Sequence, residues 1–468
     1  MTFQSATQDA SMGDFVRMEG CAGETGPQAK LLARDGSLHR IIVVGGGAAG
    51  LELATRLGDK LGRRGRAEIF LVDRYLHHIW KPLLHEVAAG ALGEGNEVSY
   101  LAQARGHHFR FRFGTMDGLD RAHKLIHLAA TFDEDGNRVN PRRIIPYDTL
   151  VLALGSLTND FGVPGVKEFA WPLNDARDAR RFHRRLLAAC VHSQILDGEE
   201  PLDIVIVGAG ATGVELAAEL YHTTRQFISY GLDKIDPARI RITLISSPQR
   251  ILPGLPKGLS NSVQAQLQRM DIEILCGERV VEVRQNEVVT ASGRRLPALV
   301  TVWAGGIKAP DFLHELDGLE TNRLNQLVVT PSLQTTRDEA IYAMGDCAAA
   351  AWHGLPEGTL VPPRAQAAHQ QAALLARNLE RRLENKAQTE FRYRDFGSLV
   401  SLGRSGVVGS LIGMSSKPGT LIQGTFARFM YWVLYQKHLL VLHGFFRVAL
   451  TTLSRLILKP VQSHVKLH

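Results

Sequence analysis

Two glycine fingerprints, 163 residues apart, constrain the fold of this chain more than any other feature. The apolar run His39-Arg40-Ile41-Ile42-Val43-Val44 ends in Gly45-Gly46-Gly47-Ala48-Ala49-Gly50. The run Asp203-Ile204-Val205-Ile206-Val207 ends in Gly208-Ala209-Gly210-Ala211-Thr212-Gly213. Helix-like stretches follow, Leu51 to Leu61 and Val214 to Tyr221. One G-x-G-x-x-G is a weak signal, but two copies in strand–turn–helix context are a strong one. The first glycine makes the tight turn, the second lets the backbone approach a pyrophosphate, and the third lets helix pack on strand. The helix N-terminus then offers unpaired N–H groups to phosphate. Helix packing alone does not need all three positions twice. The pattern predicts an α/β chain with two Rossmann-like folds, each fit for a dinucleotide.

A second strand follows each fingerprint. Ala67 to Val72 ends at Asp73, where a carboxylate can accept hydrogen bonds from both ribose hydroxyls of an adenosine. In the second copy Ile240 to Ile245 ends at Ser246, with Ser247 and Arg250 beyond, so no carboxylate there repels a 2′-phosphate. Further strand-like runs end in small residues that permit close approach of a ligand: Thr149 to Gly155, Leu299 to Gly306, and Ala340 to Asp346. Asp346 is placed to accept hydrogen bonds from a polyol.

The charge is unevenly spread. The 54 Lys+Arg and 47 Asp+Glu leave +7, yet no acid follows Asp395, while Arg404, Lys417, Arg428, Lys437, Arg447, Arg455, Lys459 and Lys466 do. A near-neutral body excludes a uniformly basic nucleic-acid binder. On a 3.6-residue period Leu439, Leu442, Phe446, Leu450, Leu453 and Ile457 share one side, opposite Lys437, Arg447, Arg455 and Lys459. Such a helix suits an anionic lipid surface, with packing on the body or on a homodimer partner as the alternative. No stretch longer than 13 residues lacks Asp, Glu, Lys and Arg, so no transmembrane helix is expected. The four cysteines (Cys21, Cys190, Cys276, Cys347) form no C-x-x-C, and the 18 histidines show no metal-site spacing. No dithiol centre or metal is expected, and Cys347, followed by Ala348 to Ala351, reads as a plain buried thiol.

Two dinucleotide folds in one chain pair most economically as bound FAD and exchanging NAD(P)H. The sequence resembles the two-dinucleotide-binding-domain flavoproteins. Within them it resembles the type II, non-proton-pumping NADH dehydrogenases, which are NADH:quinone oxidoreductases. The resemblance runs from about residue 39 to the C-terminus. It is carried by Leu71-Val72-Asp73-Arg74, Trp80-Lys81-Pro82-Leu83-Leu84-His85-Glu86, Ala211-Thr212-Gly213-Val214-Glu215-Leu216, Trp303-Ala304-Gly305-Gly306-Ile307-Lys308, and Val361-Pro362-Pro363-Arg364-Ala365-Gln366-Ala367-Ala368-His369-Gln370.

The resemblance implies a discontinuous FAD domain (38–160 and 321–385) with an NAD(P)H domain (161–320) inserted. A polar leader (1–37), read as disordered, precedes them, and a basic amphipathic membrane-associating region (386–468) follows. The cofactor-binding set it implies is Gly45, Gly47, Ala48, Gly50, Asp73, Arg74, Lys81, Ala153, Gly155, Gly208, Gly210, Thr212, Gly213, Glu215, Ser246, Gly305, Gly306, Gly345, Asp346 and Ala365. Glu215 would face the nicotinamide ribose and flavin edge. Gln366 and Gln370, four apart, would line a quinone pocket in which the neighbouring alanines leave room for a flat ring. Lys81 would lie near the flavin N1/C2 carbonyl. The expected activity is transfer of hydride from NADH, with NADPH not excluded, to FAD and of two electrons to a membrane quinone, without proton pumping. The expected location is peripheral, on the cytoplasmic face of the inner membrane. A soluble NAD(P)H-dependent reductase of another acceptor and a non-catalytic redox-sensing module are the alternatives.

Overall fold

In the computed structural model, residues 38–92, 97–133, 135–195, 200–230, 232, 234–411 and 420–458 are described. The leader, Cys21, Lys417, Lys459 and Lys466 lie outside them.

The two apolar runs become the central strands of two separate sheets. Strand β1 (His39–Val44) pairs in parallel with β2 (Ala67–Asp73), which pairs with β3 (Arg110–Phe113). On its other side β1 pairs with β4 (Thr149–Leu152). The second sheet repeats this plan with β5 (Ala170–Pro172), β6 (Leu202–Val207), β7 (Ile240–Ser246), β8 (Glu273–Cys276) and β9 (Val300–Trp303), in the order β5-β9-β6-β7-β8. The chain then returns to the first sheet. There β10 (Gln334–Thr335) and β11 (Asp338–Ala343) complete the order β10-β11-β4-β1-β2-β3. Continuous Val/Ile/Leu runs suit parallel strands buried on both faces, and all six residues of β6 are buried.

The fingerprint helices are Ala48–Leu57 and Ala211–Ser229. The first is extended by a π-helical turn, Gly58–Gly62. The helix Ala365–Leu383 packs on the first of them.

The segment after residue 385 is more than an appendage. Phe391 and Tyr393 enter the core of the first fold, and Val400, Leu402 and Val408 enter that of the second. These last three belong to a small antiparallel sheet and its turn, β12 (Gly397–Ser401), β13 (Val407–Leu411) and β14 (Thr420–Gln423). The C-terminal helix, Gly424–Leu458, is broken at Gly444, whose φ is 73°.

That break corrects the expected single apolar face. Leu439 and Leu442 are buried against the body, whereas Phe446 and Leu450 beyond the break are 87% and 68% exposed. A 3.6-residue period does not continue through a glycine in the left-handed region, a conformation that other residues rarely adopt. The side chains of Arg447, Leu453, Arg455 and Ile457 lie outside the description. Before the break, Phe426, Phe429 and Trp432 are exposed, as are Arg428 and Lys437. Polar contacts fix the inner side: Gln103 Nε2 donates to Leu442 O at 2.5 Å, and His438 Nε2 lies 3.0 Å from His78 Nε2. Among the described residues no helix is long and apolar enough to cross a membrane.

Candidate functional site

The glycines of each fingerprint do different work. A Cβ on Gly45 (φ +102°) would meet Ala153 O at 2.3 Å, and one on Gly50 would meet Gly45 O at 1.8 Å. A Cβ on Gly208 (φ +112°) would meet Ala304 O at 2.3 Å, and one on Gly213 would meet Gly208 O at 1.9 Å. These first and third glycines are required by the protein's own backbone. The second glycines differ, because a Cβ on Gly47 or Gly210 would meet nothing within 4 Å. Both are the N-cap of a helix with no side-chain cap and no acid in its first turn. Free N–H groups and the positive dipole end therefore face open space twice, which is the chemistry of a phosphate cradle. Ala48 is half-buried and Thr212 exposed at these helix starts.

The register equates the two ribose corners. Val44 pairs with Val72, one residue before Asp73, and Val207 pairs with Ile245, one residue before Ser246. Asp73 accepts the Gly46 N–H at 2.6 Å and the Tyr75 N–H at 2.8 Å. Burial pushes its carboxyl up, and those two N–H groups oppose the shift. Ser246 is buried, and its hydroxyl donates to Arg250 O at 3.3 Å. Arg74 pairs with Asp175 at 3.1 Å.

The sequence reading missed the clamp on Gly46. Its carbonyl accepts from Tyr100 OH at 2.7 Å and lies 2.9 Å from His78 Nδ1, and a Cβ on Gly46 would strike the Tyr100 ring at 2.4 Å. A glycine triplet was the only signal available, because Tyr100 and His78 arrive from distant sequence.

A second group gathers where β4 and β11 end. Lys81 Nζ donates to Ser156 O at 2.8 Å and approaches Ser156 Oγ at 3.2 Å, and that hydroxyl donates to Asp346 Oδ2 at 2.8 Å. Burial lowers the Lys81 pKa, against the pull of Asp346 and Asp175. Gly155 (φ +68°) has open space where a Cβ would stand. Gly345 (φ +74°) donates its N–H to Gln371 Oε1 at 2.6 Å, and Gln326 Nε2 donates to Asp346 O at 2.9 Å. Ser156, Gln326 and Gln371 were not among the expected residues. Cys347 is fully buried, and burial pushes its thiol up to about 11, so it is not a reactive thiolate. Ala365 begins its helix after Arg364, with no side-chain cap. Gly305 and Gly306 follow β9, where a Cβ on Gly306 (φ +131°) would meet the Phe161 ring at 2.8 Å.

Strand β12 joins the remaining expected residues. At its start, Gln366 Nε2 donates to Gly397 O at 3.0 Å and to Asp395 Oδ1 at 3.1 Å, while Gln366 Oε1 accepts the Phe396 N–H at 3.1 Å. Gln370 pairs both ways with the Arg394 backbone, at 2.8 and 3.0 Å. At the strand's end, Glu215 Oε1 accepts the Ser401 N–H at 2.9 Å. One strand thus spans the helix of Gln366 and the helix of Glu215, and both amides are engaged by backbone.

Glu215 lies in an acidic pocket. His85 Nδ1 is 3.5 Å from its Oε2. Burial, countered by the Ser401 N–H and reinforced by Glu86 and Glu219, raises the Glu215 carboxyl to about 8. Burial raises Glu86 to about 7 and also raises Glu219. The same desolvation lowers His85 to about 4. The buried Tyr431 hydroxyl, on the C-terminal helix, has no hydrogen-bond partner among the described residues, and these three acids raise its pKa further. Tyr431 was another residue the sequence did not single out. At neutral pH a carboxyl raised as far as that of Glu215 holds its proton, the state needed to donate it.

The profile of the pyridine nucleotide-disulphide oxidoreductases matches residues 39–372. The chain is 41% identical over 447 residues to the type II NADH:quinone oxidoreductase of Haemophilus influenzae, covering 92% of this chain and all of that one. It is 28% identical over 446 residues to a type II NADH:quinone oxidoreductase of Mycobacterium tuberculosis, covering 91% of this chain and 89% of the relative. In fold it is similar to NDH2 from Plasmodium falciparum in complex with NADH. The TM-score is 0.75 at 19% identity, over 92% of this chain and all of that one.

Proposed function

Because the chain belongs to the pyridine nucleotide-disulphide oxidoreductase family and, within it, to the type II NADH:quinone oxidoreductases, we propose that its first fold holds FAD and its second fold NADH. The chain is an enzyme of that class, a flavoprotein that oxidises NADH and reduces quinone. The observation that carries two dinucleotide sites is the pair of open second glycines, Gly47 and Gly210, each at an uncapped helix start. The residues fit the group: a pyrophosphate can approach Gly47 where no side chain stands, and Asp73 would meet the adenosine ribose.

FAD, when bound, supplies a two-electron carrier that takes hydride at N5 and passes the pair to quinone. Lys81, held by Ser156, would present its ammonium to the ring's pyrimidine edge. Asp346, held by the Ser156 hydroxyl, orients the ribityl chain. The uncapped helix start at Ala365 would offer a positive helix end to the same ring. Glu215 holds its proton at a carboxyl oxygen and meets the nicotinamide ribose. Gln366 and Gln370 fix the segment 394–397 as a wall of the quinone pocket, with Ala365 leaving room for the flat ring. No residue set for proton pumping is invoked. The exposed Phe426, Phe429, Trp432 and Leu450, with Arg428 and Lys437, dock the protein on the anionic, cytoplasmic face of the inner membrane.

Heat-released cofactor tests the assignment. Chromatography is expected to return FAD at about one per chain, from protein that oxidises NADH only when quinone is supplied. FMN, or quinone-independent turnover, contradicts it.

A further inference from the structure

We infer that the second dinucleotide fold accepts NADPH alongside NADH, because Ser246 leaves its ribose corner without the carboxylate that would repel a 2′-phosphate. This rests on the reading of that fold as the nicotinamide site. The first fold supplies the internal comparison. Asp73 stands one residue beyond the Val44–Val72 pair, and Ser246 one residue beyond the Val207–Ile245 pair. The same backbone position is thus an acid in one fold and a neutral hydroxyl in the other.

The surroundings of Ser246 do not restore the missing charge. Ser247, Pro248 and Gln249 are exposed and uncharged. Glu278 is the neighbouring acid, its N–H donating to Ser246 O at 3.1 Å. Its carboxylate, however, accepts Ser292 Oγ at 2.8 and 2.9 Å and faces Arg294 at 3.7 Å. Arg250, four residues on, is the nearest cation in sequence. Its backbone carbonyl accepts from Ser246, and its guanidinium is held by the carbonyls of Leu252, Pro253 and Leu255 at 3.2, 2.6 and 2.9 Å. No carboxylate at this position opposes an added phosphate dianion, whereas one in the place of Ser246 would oppose it by about tenfold to a hundredfold in affinity.

The binding arm of the test needs no quinone. Binding of ADP-ribose and of 2′-phospho-ADP-ribose is measured by calorimetry on the full-length protein, with NADH and NADPH turnover alongside. The inference predicts that the phosphorylated ligand binds within about thirtyfold of ADP-ribose. Ser246→Asp is expected to widen that gap by about tenfold or more, and to lower kcat/KM for NADPH relative to NADH to match. Gln249→Glu, on the exposed rim, is the second variant should the buried one fail to fold, and it should widen the gap in the same direction. A wild-type gap beyond about thirtyfold, or one unmoved by these substitutions, overturns the inference while leaving the NADH site standing. Failure to bind ADP-ribose at all overturns the nicotinamide reading and this inference with it.

Discussion

At the scale of single residues, the three glycines of a fingerprint make separable predictions. Gly50→Ala forces a methyl to within 1.8 Å of Gly45 O, so it costs about 3 kcal/mol or more and lowers Tm or soluble yield. Gly47→Ala meets nothing within 4 Å, so the flavin-stripped protein keeps its Tm while flavin content falls about tenfold or more. Equal thermal behaviour of the two variants would contradict this division. Glu215 makes a pH prediction. Its carboxyl is raised to about 8, so it is protonated at neutral pH and ionises as pH climbs through 8. A raised carboxyl contributes stability that is complete below the ordinary carboxyl range and is lost as pH rises through the folded value. Turnover should therefore fall above about pH 8, and Glu215→Gln should abolish that limb while lowering kcat about a hundredfold. The Gln variant should also lose less Tm between about pH 5 and about pH 9. An unchanged pH profile would show that the proton on Glu215 has no part in turnover. The fingerprints, Asp73 and Ser246 were all legible in sequence, because strand and helix periods are local. The clamp of Tyr100 and His78 on Gly46 was not, because those side chains meet it across 54 and 32 residues.

At the scale of elements, β12 couples the two halves of the site. Gln366→Leu removes three hydrogen bonds to residues 395–397, two of them to backbone. It should cost about 2–3 kcal/mol and raise the KM for quinone, while flavin reduction by NADH keeps its rate. Loss of stability with unaltered quinone kinetics would confine Gln366 to a structural part. The i, i+4 spacing of Gln366 and Gln370 was legible, and the helix Ala365–Leu383 carries both. Their partners were not legible, since nothing in the sequence marks 394–397 as a segment awaiting amides. The C-terminal helix is a parallel case. The break at Gly444 turns one expected face into a packed part and an exposed part. Phe429→Glu together with Leu450→Glu, at positions 54% and 68% exposed, should weaken binding to anionic vesicles about tenfold or more with turnover on a soluble quinone intact. Unchanged co-sedimentation would remove the docking assignment.

At the scale of the whole molecule, the charge asymmetry and the fold tell one story. Residues up to 395 carry 46 basic and 47 acidic side chains, and the eight bases that follow bring the total to +7. Phosphates in two nucleotide folds can be met by backbone N–H groups, so the body needs no basic excess. The acid-free C-terminal segment is woven into both cores, yet it also presents exposed aromatics beside Arg428 and Lys437. Its charge and its apolar period were readable beforehand, but its docking was not, because the contacts that fold it back, such as His78 with His438, span 360 residues.

The central claim is that two separate folds serve two dinucleotides in one electron path. Anaerobic stopped-flow on wild type and Gly210→Ala tests it most directly. The account predicts that NADH bleaches the flavin absorbance of the wild type and that quinone restores it. It also predicts that Gly210→Ala keeps its flavin but needs about tenfold more NADH for the same bleaching rate. Loss of flavin from Gly210→Ala with unchanged NADH dependence, or flavin that NADH cannot bleach, would contradict it.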